Sequence, residues 1–134
     1  MKKLIALTLG VSLLFGATTQ AGATSKMGIS ANTTKANYNL KLDKNVSLAL
    51  KNDNEIEQGV LYQPQKLVNG KWKDLDWYNY AFLNPHEKDY ENTTMNNFTS
   101  SGTYRFEIDI DKFDKEGYSI SQGKFYTTTF TIKK

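Results

Sequence analysis

Residues 101–110 read Ser-Gly-Thr-Tyr-Arg-Phe-Glu-Ile-Asp-Ile, and this stretch decides the fold class. Tyr104, Phe106, Ile108 and Ile110 alternate with Thr103, Arg105, Glu107 and Asp109. Successive side chains of a strand point to opposite faces, so the pattern describes a strand with one apolar and one polar face. A period of two recurs along most of the chain, and no helical stripe is found. Tyr38, Leu40 and Leu42 alternate with polar residues, Asp43-Lys44-Asn45 offers a turn, and Val46, Leu48 and Leu50 alternate again. That pattern predicts a hairpin.

Residues 59–68 (GVLYQPQKLV) predict a further strand, followed by Asn69-Gly70 and then by KWKDLDWYNYAFL. Asn-Gly between strand-like runs predicts a two-residue turn, because both central residues of a type I′ turn need positive φ. Such a loop sets Lys66 opposite Lys73, a repulsive pair unless both are solvated. Pro64 has no N–H to donate and predicts a bulge or an edge position. In the run 77–82, Tyr78, Tyr80 and Phe82 form the more apolar set and are expected to face the core, leaving Trp77 on the opposite face. Residues 84–97 and 111–123 read as polar connections, with a short strand over 95–99 and a closing strand over 125–132 (FYTTTFTI). About seven strands with frequent turn signals predict an all-β sandwich or barrel.

The amino terminus has a different character. Lys2 and Lys3 precede an apolar run from Leu4 to Phe15, and Ala21-Gly22-Ala23 has the small residues of a cleavage site. Charge, apolar run and small residues in that order predict a cleavable signal peptide over residues 1–23. The run is about 12 residues, short of the ~20 that a spanning helix needs. Residues 24–36 are small and polar and are expected to form a flexible amino-terminal arm, with one domain over 37–134. Lys+Arg 17 against Asp+Glu 14 gives +3, and removing Lys2 and Lys3 leaves +1, so no nucleic-acid partner is expected. The chain has no cysteine, which excludes a disulfide framework and a lipid-anchored form, and no membrane anchor is expected. The predicted location is extracellular, with the periplasm as the alternative.

Gly102-x-Tyr104-x-Phe106 resembles the start of the sixth strand in immunoglobulin-like and fibronectin-type sandwiches. There a tyrosine two residues before the inward core position bonds back to the preceding backbone, the tyrosine corner. The segment KLVNGKWKDL resembles a hairpin of bacterial immunoglobulin-like modules, and the chain as a whole resembles small exported proteins of Gram-positive bacteria. The resemblance implies an immunoglobulin-like antiparallel sandwich of about seven strands; a jelly roll or other sandwich and a small barrel are the alternatives. The chain departs from the pattern at Pro64, in lacking a Trp before the hairpin, and in carrying serine before Gly102.

The inventory of reactive side chains is short. His86 is the single histidine, and with no cysteine a His/Cys zinc site and Cys–His catalysis are excluded. No Gly-x-Ser-x-Gly elbow is present, so no enzyme is expected. The three Asn-x-Thr matches, at Asn32, Asn92 and Asn97, read as polar loop residues in a chain of bacterial look. No cofactor is expected, with one candidate exception: Asp109, Asp111, Asp114 and Glu116 form a carboxylate-dense stretch of the kind calcium uses, although without EF-hand spacing. Trp77 with Asn79, Asp74 and Tyr90 is the candidate binding surface. Two functions follow. The first is a non-enzymatic module that binds an extracellular protein through loops or an open sheet edge. The second is a glycan or cell-wall binding module, which requires an exposed, coplanar set of rings.

Overall fold

The computed structural model describes residues 24–134, so the predicted signal peptide lies outside the described residues. Eleven strands form, not about seven. They are β1 (Thr24–Lys26), β2 (Ile29–Thr33), β3 (Asn37–Asn39), β4 (Asn45–Asn52), β5 (Gln58–Val68), β6 (Lys71–Asp74), β7 (Asn79–Leu83), β8 (Lys88–Thr94), β9 (Gly102–Phe113), β10 (Ser119–Tyr126) and β11 (Phe130–Lys133). A 3₁₀ turn covers Met95–Asn97, where a short strand was expected.

Two sheets pack over one core, making an all-β sandwich. The smaller runs β1-β2-β4-β8, antiparallel throughout. The larger is built around β9, which pairs with β5 on one side and with β11 and then β10 on the other. β5 likewise carries β6 and β7 in succession along its second edge. Two long strands are thus each flanked by two short ones, which raises the strand count. One pair, β3 with β11, is parallel.

The alternation in β9 sets its two faces. Tyr104, Phe106, Ile108 and Ile110 are all buried. The rings of Phe106 and Phe130 stack at 5.7 Å, and Phe98 stands edge-on to Tyr104 at 5.3 Å. The Tyr104 hydroxyl donates to the Ser100 carbonyl at 2.6 Å, so the one polar atom of this buried ring is satisfied within four residues.

Pro64 sits where the break between β6 and β7 can absorb it. Its carbonyl accepts the Leu75 N–H at 2.9 Å, which places its nitrogen on the same edge of β5. The N–H that proline lacks would have reached the Leu75 carbonyl, and Gln63 Nε2 donates there instead at 3.1 Å. Asn69 (φ 52) and Gly70 (φ 76) form the predicted two-residue turn, and Lys66 does face Lys73. Lys66 Nζ turns away to Ser100 Oγ at 2.6 Å, which relieves the repulsion.

Three sequence expectations fail here for identifiable reasons. Residues 24–36 carry β1 and β2 rather than a loose arm. Ile29 and Ala31 are buried, and the buried Asn32 Oδ1 accepts the Thr128 N–H at 3.2 Å and its hydroxyl at 2.9 Å. The hairpin through Asp43 does not form, because β3 belongs to the larger sheet and β4 to the smaller. Asn39 Oδ1 accepts the N–H groups of Lys41 and Leu42 at 2.8 and 3.0 Å, a turn that leads the chain from one sheet to the other and leaves Leu42 exposed. The connections 84–97 and 111–123 are largely strand: β8 fills the first, and β9 and β10 shorten the second to the turn at residues 114–118.

Candidate functional site

The break between β6 and β7 generates the first part of the site. Residues 75–78 bridge the two strands and stand against the 3₁₀ turn and the segment after it. Between them lies a groove of about 510 Å³ lined by Asp76, Trp77, Tyr78 and Asn79 on one side and by Asn96, Asn97 and Thr99 on the other. Trp77 forms its inner wall. Its ring stands edge-on to Phe98 at 5.8 Å and to Phe106 at 6.4 Å, and Nε1 donates to the Asn97 carbonyl at 3.2 Å. The indole is therefore half-buried against the core and not laid flat on the surface.

The second part begins at the rim of this groove. Tyr78 is exposed, and so are Tyr80 and Phe82, reversing the face expected for this strand. Ala81 and Leu83 are the residues that point inward. Tyr80 and Phe82 lie two apart on the outer face, with centroids 6.4 Å apart and planes only 15° from parallel. Phe113, from the far end of β9, continues the row at 5.7 Å from Phe82 with a 32° tilt. It lies over Gly59, where a Cβ would come within 3.1 Å of its ring. Tyr78 meets Tyr80 edge-on at 6.3 Å. The result is a stripe of four exposed rings running from the groove across the larger sheet. Contiguous exposed apolar surface of this kind marks interaction sites.

A ladder of carboxylates lies beside the stripe on the same sheet face. Ser121 Oγ donates to Asp109 and Ser119 Oγ to Asp111, each at 2.5 Å. Burial, then the neighbouring Asp111 charge, raises the Asp109 carboxyl above the usual range against the lowering effect of Ser121. Asp111 is only 2% exposed, and its Oδ1 has no partner. Asp114 is not part of this ladder. Its Oδ1 accepts the N–H groups of Glu116 and Tyr118 at 3.0 and 2.8 Å, which ties it into the turn. The four carboxylates named as candidates for calcium are thus not gathered at one point, and among the described residues no group of three or more His, Cys, Asp or Glu is placed to hold a metal ion.

Of the residues singled out for binding, Trp77 and Asn79 share the groove. Asp74 is elsewhere, accepting from Gln65 Nε2 at 2.8 Å. Tyr90 lies on β8 in the other sheet, exposed, with Lys88 Nζ 5.5 Å above its ring. His86 is a surface residue at 2.7 Å from Glu55 Oε1.

One amide on the edge strand β8 and one on the edge strand β7 are capped. Asn52 N–H donates to the Glu87 carbonyl, which by the alternation of an antiparallel ladder turns the Tyr90 N–H outward. Asp89 Oδ1 accepts it at 2.8 Å. The same alternation, counted from Pro64, turns the Tyr80 N–H to the free edge of β7, where Asn79 Oδ1 accepts it at 3.1 Å. On each edge the side chain of the preceding residue takes an amide that an added strand would need.

Phe113 and Arg105 were missed from the sequence. Phe113 reads as part of a charged connection until β9 is known to continue past the core. No model of a known protein family matches the chain, and neither does any curated protein.

Proposed function

We propose that the chain is an exported, non-enzymatic glycan-binding module of immunoglobulin-like build. The observation that carries this reading is the near-parallel pair Tyr80 and Phe82, exposed on a sheet face and extended by Phe113 and Tyr78. Flat rings offer an apolar surface to the C–H faces of sugar rings, while the amides and carboxylate of the adjoining groove meet hydroxyl groups. The Tyr104 to Ser100 bond supports the immunoglobulin-like assignment. Export rests on the pattern of residues 1–23.

The second reading is a module that binds an extracellular protein through a sheet edge such as that of β8. The experiment is retention of the purified protein on insoluble cell wall and on immobilised polysaccharides, compared with a Tyr80→Ala/Phe82→Ala variant. Retention lost in the variant, with folding unchanged, is the expected result. Capture of a discrete extracellular protein, with no retention on any polysaccharide, overturns it.

A further inference from the structure

Arg105 is the sole arginine of the sequence; every other strongly basic side chain is a lysine. It stands on the outer face of β9, and its guanidinium carbon lies 4.3 Å from the centroid of the Trp72 ring and 3.8 Å from that of Tyr126. The group is held between two aromatic faces. Its Nε donates to Gln65 Oε1 at 2.7 Å, and Gln65 in turn is fixed by Asp74. Gln65 is buried, so this relay sets the rotation of the guanidinium plane.

The two rings cover the guanidinium and leave its in-plane edge. Nε–H is already used, so the N–H groups of the two Nη atoms are what remains. Among the described residues no carboxylate lies within ion-pair distance of Arg105. Glu107, two residues on along the same face, is engaged by Lys124 at 3.3 Å. An oriented fork, stacked on two rings and without an anion, matches a planar carboxylate taken edge-on through two parallel bonds. A lysine in this position would present a point charge with no plane to stack or align.

We propose that the free edge of Arg105 is a carboxylate-binding site, and that its ligand is a uronic-acid unit of a glycan, seated between Trp72 and Tyr126 and away from the Asp109 and Asp111 end of β9. The carboxylate part stands on the geometry of Arg105 alone. The sugar part rests on the glycan reading of the aromatic stripe, which shares this face, and on the apolar walls that Trp72 and Tyr126 set on either side of the charge.

With one arginine in the chain, the single Nε–Hε resonance of ¹⁵N-labelled protein reports on this site directly. Glucuronate at constant ionic strength is expected to shift it saturably, and glucose is expected to leave it in place. In calorimetry, Arg105→Lys is expected to weaken glucuronate binding at least tenfold although the charge is kept. No saturable shift with glucuronate or with an N-acetylated glutamate amide overturns the site. Saturation by the glutamate derivative but not by glucuronate overturns the sugar part and leaves a peptide carboxylate as the ligand. Inorganic phosphate saturating below either carboxylate overturns the argument from planarity. An intact glucuronate shift in a protein that Tyr80→Ala/Phe82→Ala leaves fully retained on polysaccharide overturns the stripe reading and not the carboxylate site.

Discussion

The two faces of the larger sheet are both aromatic, yet they do different things. The inner face carries Tyr62, Tyr104, Phe106 and Phe130, each at most 3% exposed. The outer face of the same sheet carries Tyr80, Phe82, Phe113 and Tyr126, each at least 36% exposed. The inner rings meet one another and Phe98 inside the core, so their burial stabilises the fold. The outer rings meet one another and water. Apolar side chains kept in water bring the fold little, and their presence in a row is what a binding face requires.

The comparison is sharpest at Phe106. It is fully buried against four other rings, and Phe106→Ala is expected to cost about 3–5 kcal/mol, read by chemical denaturation. A loss below 1 kcal/mol would mean that the two faces are not energetically distinct. Tyr104→Phe keeps the ring and removes only the bond to Ser100, with an expected cost of about 1 kcal/mol. On the outer face, Phe82→Ala is expected to stay within ~0.5 kcal/mol of the parent while weakening retention on polysaccharide. A large stability loss there would make Phe82 a structural residue and break the contrast.

The smallest effects are those of pH, and the first lies away from both faces. The hydrogen bond from Lys35 holds the Asp43 carboxyl below the usual carboxylate range, and the Asn39 N–H adds to this. A depressed carboxyl contributes stability that is present above its unfolded value of about 3.9 and is lost as pH falls through the folded value. Asp43→Asn should therefore flatten the fall in stability below about pH 4. Asp109 on the outer face has the opposite sign, since burial raises it, and Asp109→Asn should relieve a penalty at neutral pH.

Much of the larger sheet was legible because local chemistry dictates it. Asn69-Gly70 has one comfortable turn type, and the register at Lys66 and Lys73 follows from it. The alternation from Tyr104 to Ile110 admits only one buried face. The run at Tyr80 did not resolve in the same way. A period of two names two faces without saying which is inside, and the greater apolarity of Tyr78, Tyr80 and Phe82 pointed to the wrong one. Inward space there is already taken by the rings of Tyr62 and Phe106, 6.0 Å apart, and Ala81 is small enough to lie on that side. The exposed aromatic stripe was hidden by the same ambiguity. Residues 24–36 failed for another reason: their polar groups look destined for water, and only the fold reveals Thr128 as the partner of Asn32.

The capped amides of Tyr80 and Tyr90 have a consequence for crowded solutions. A molecule with an uncovered row of rings will meet its own copies through that row when concentrated. Such meetings become irreversible when strand edges then join and template a growing cross-β fibril. Here the side chains of Asn79 and Asp89 already occupy donors that such templating needs. An edge met at Tyr80 or Tyr90 therefore offers one donor fewer to a second copy than a bare edge would.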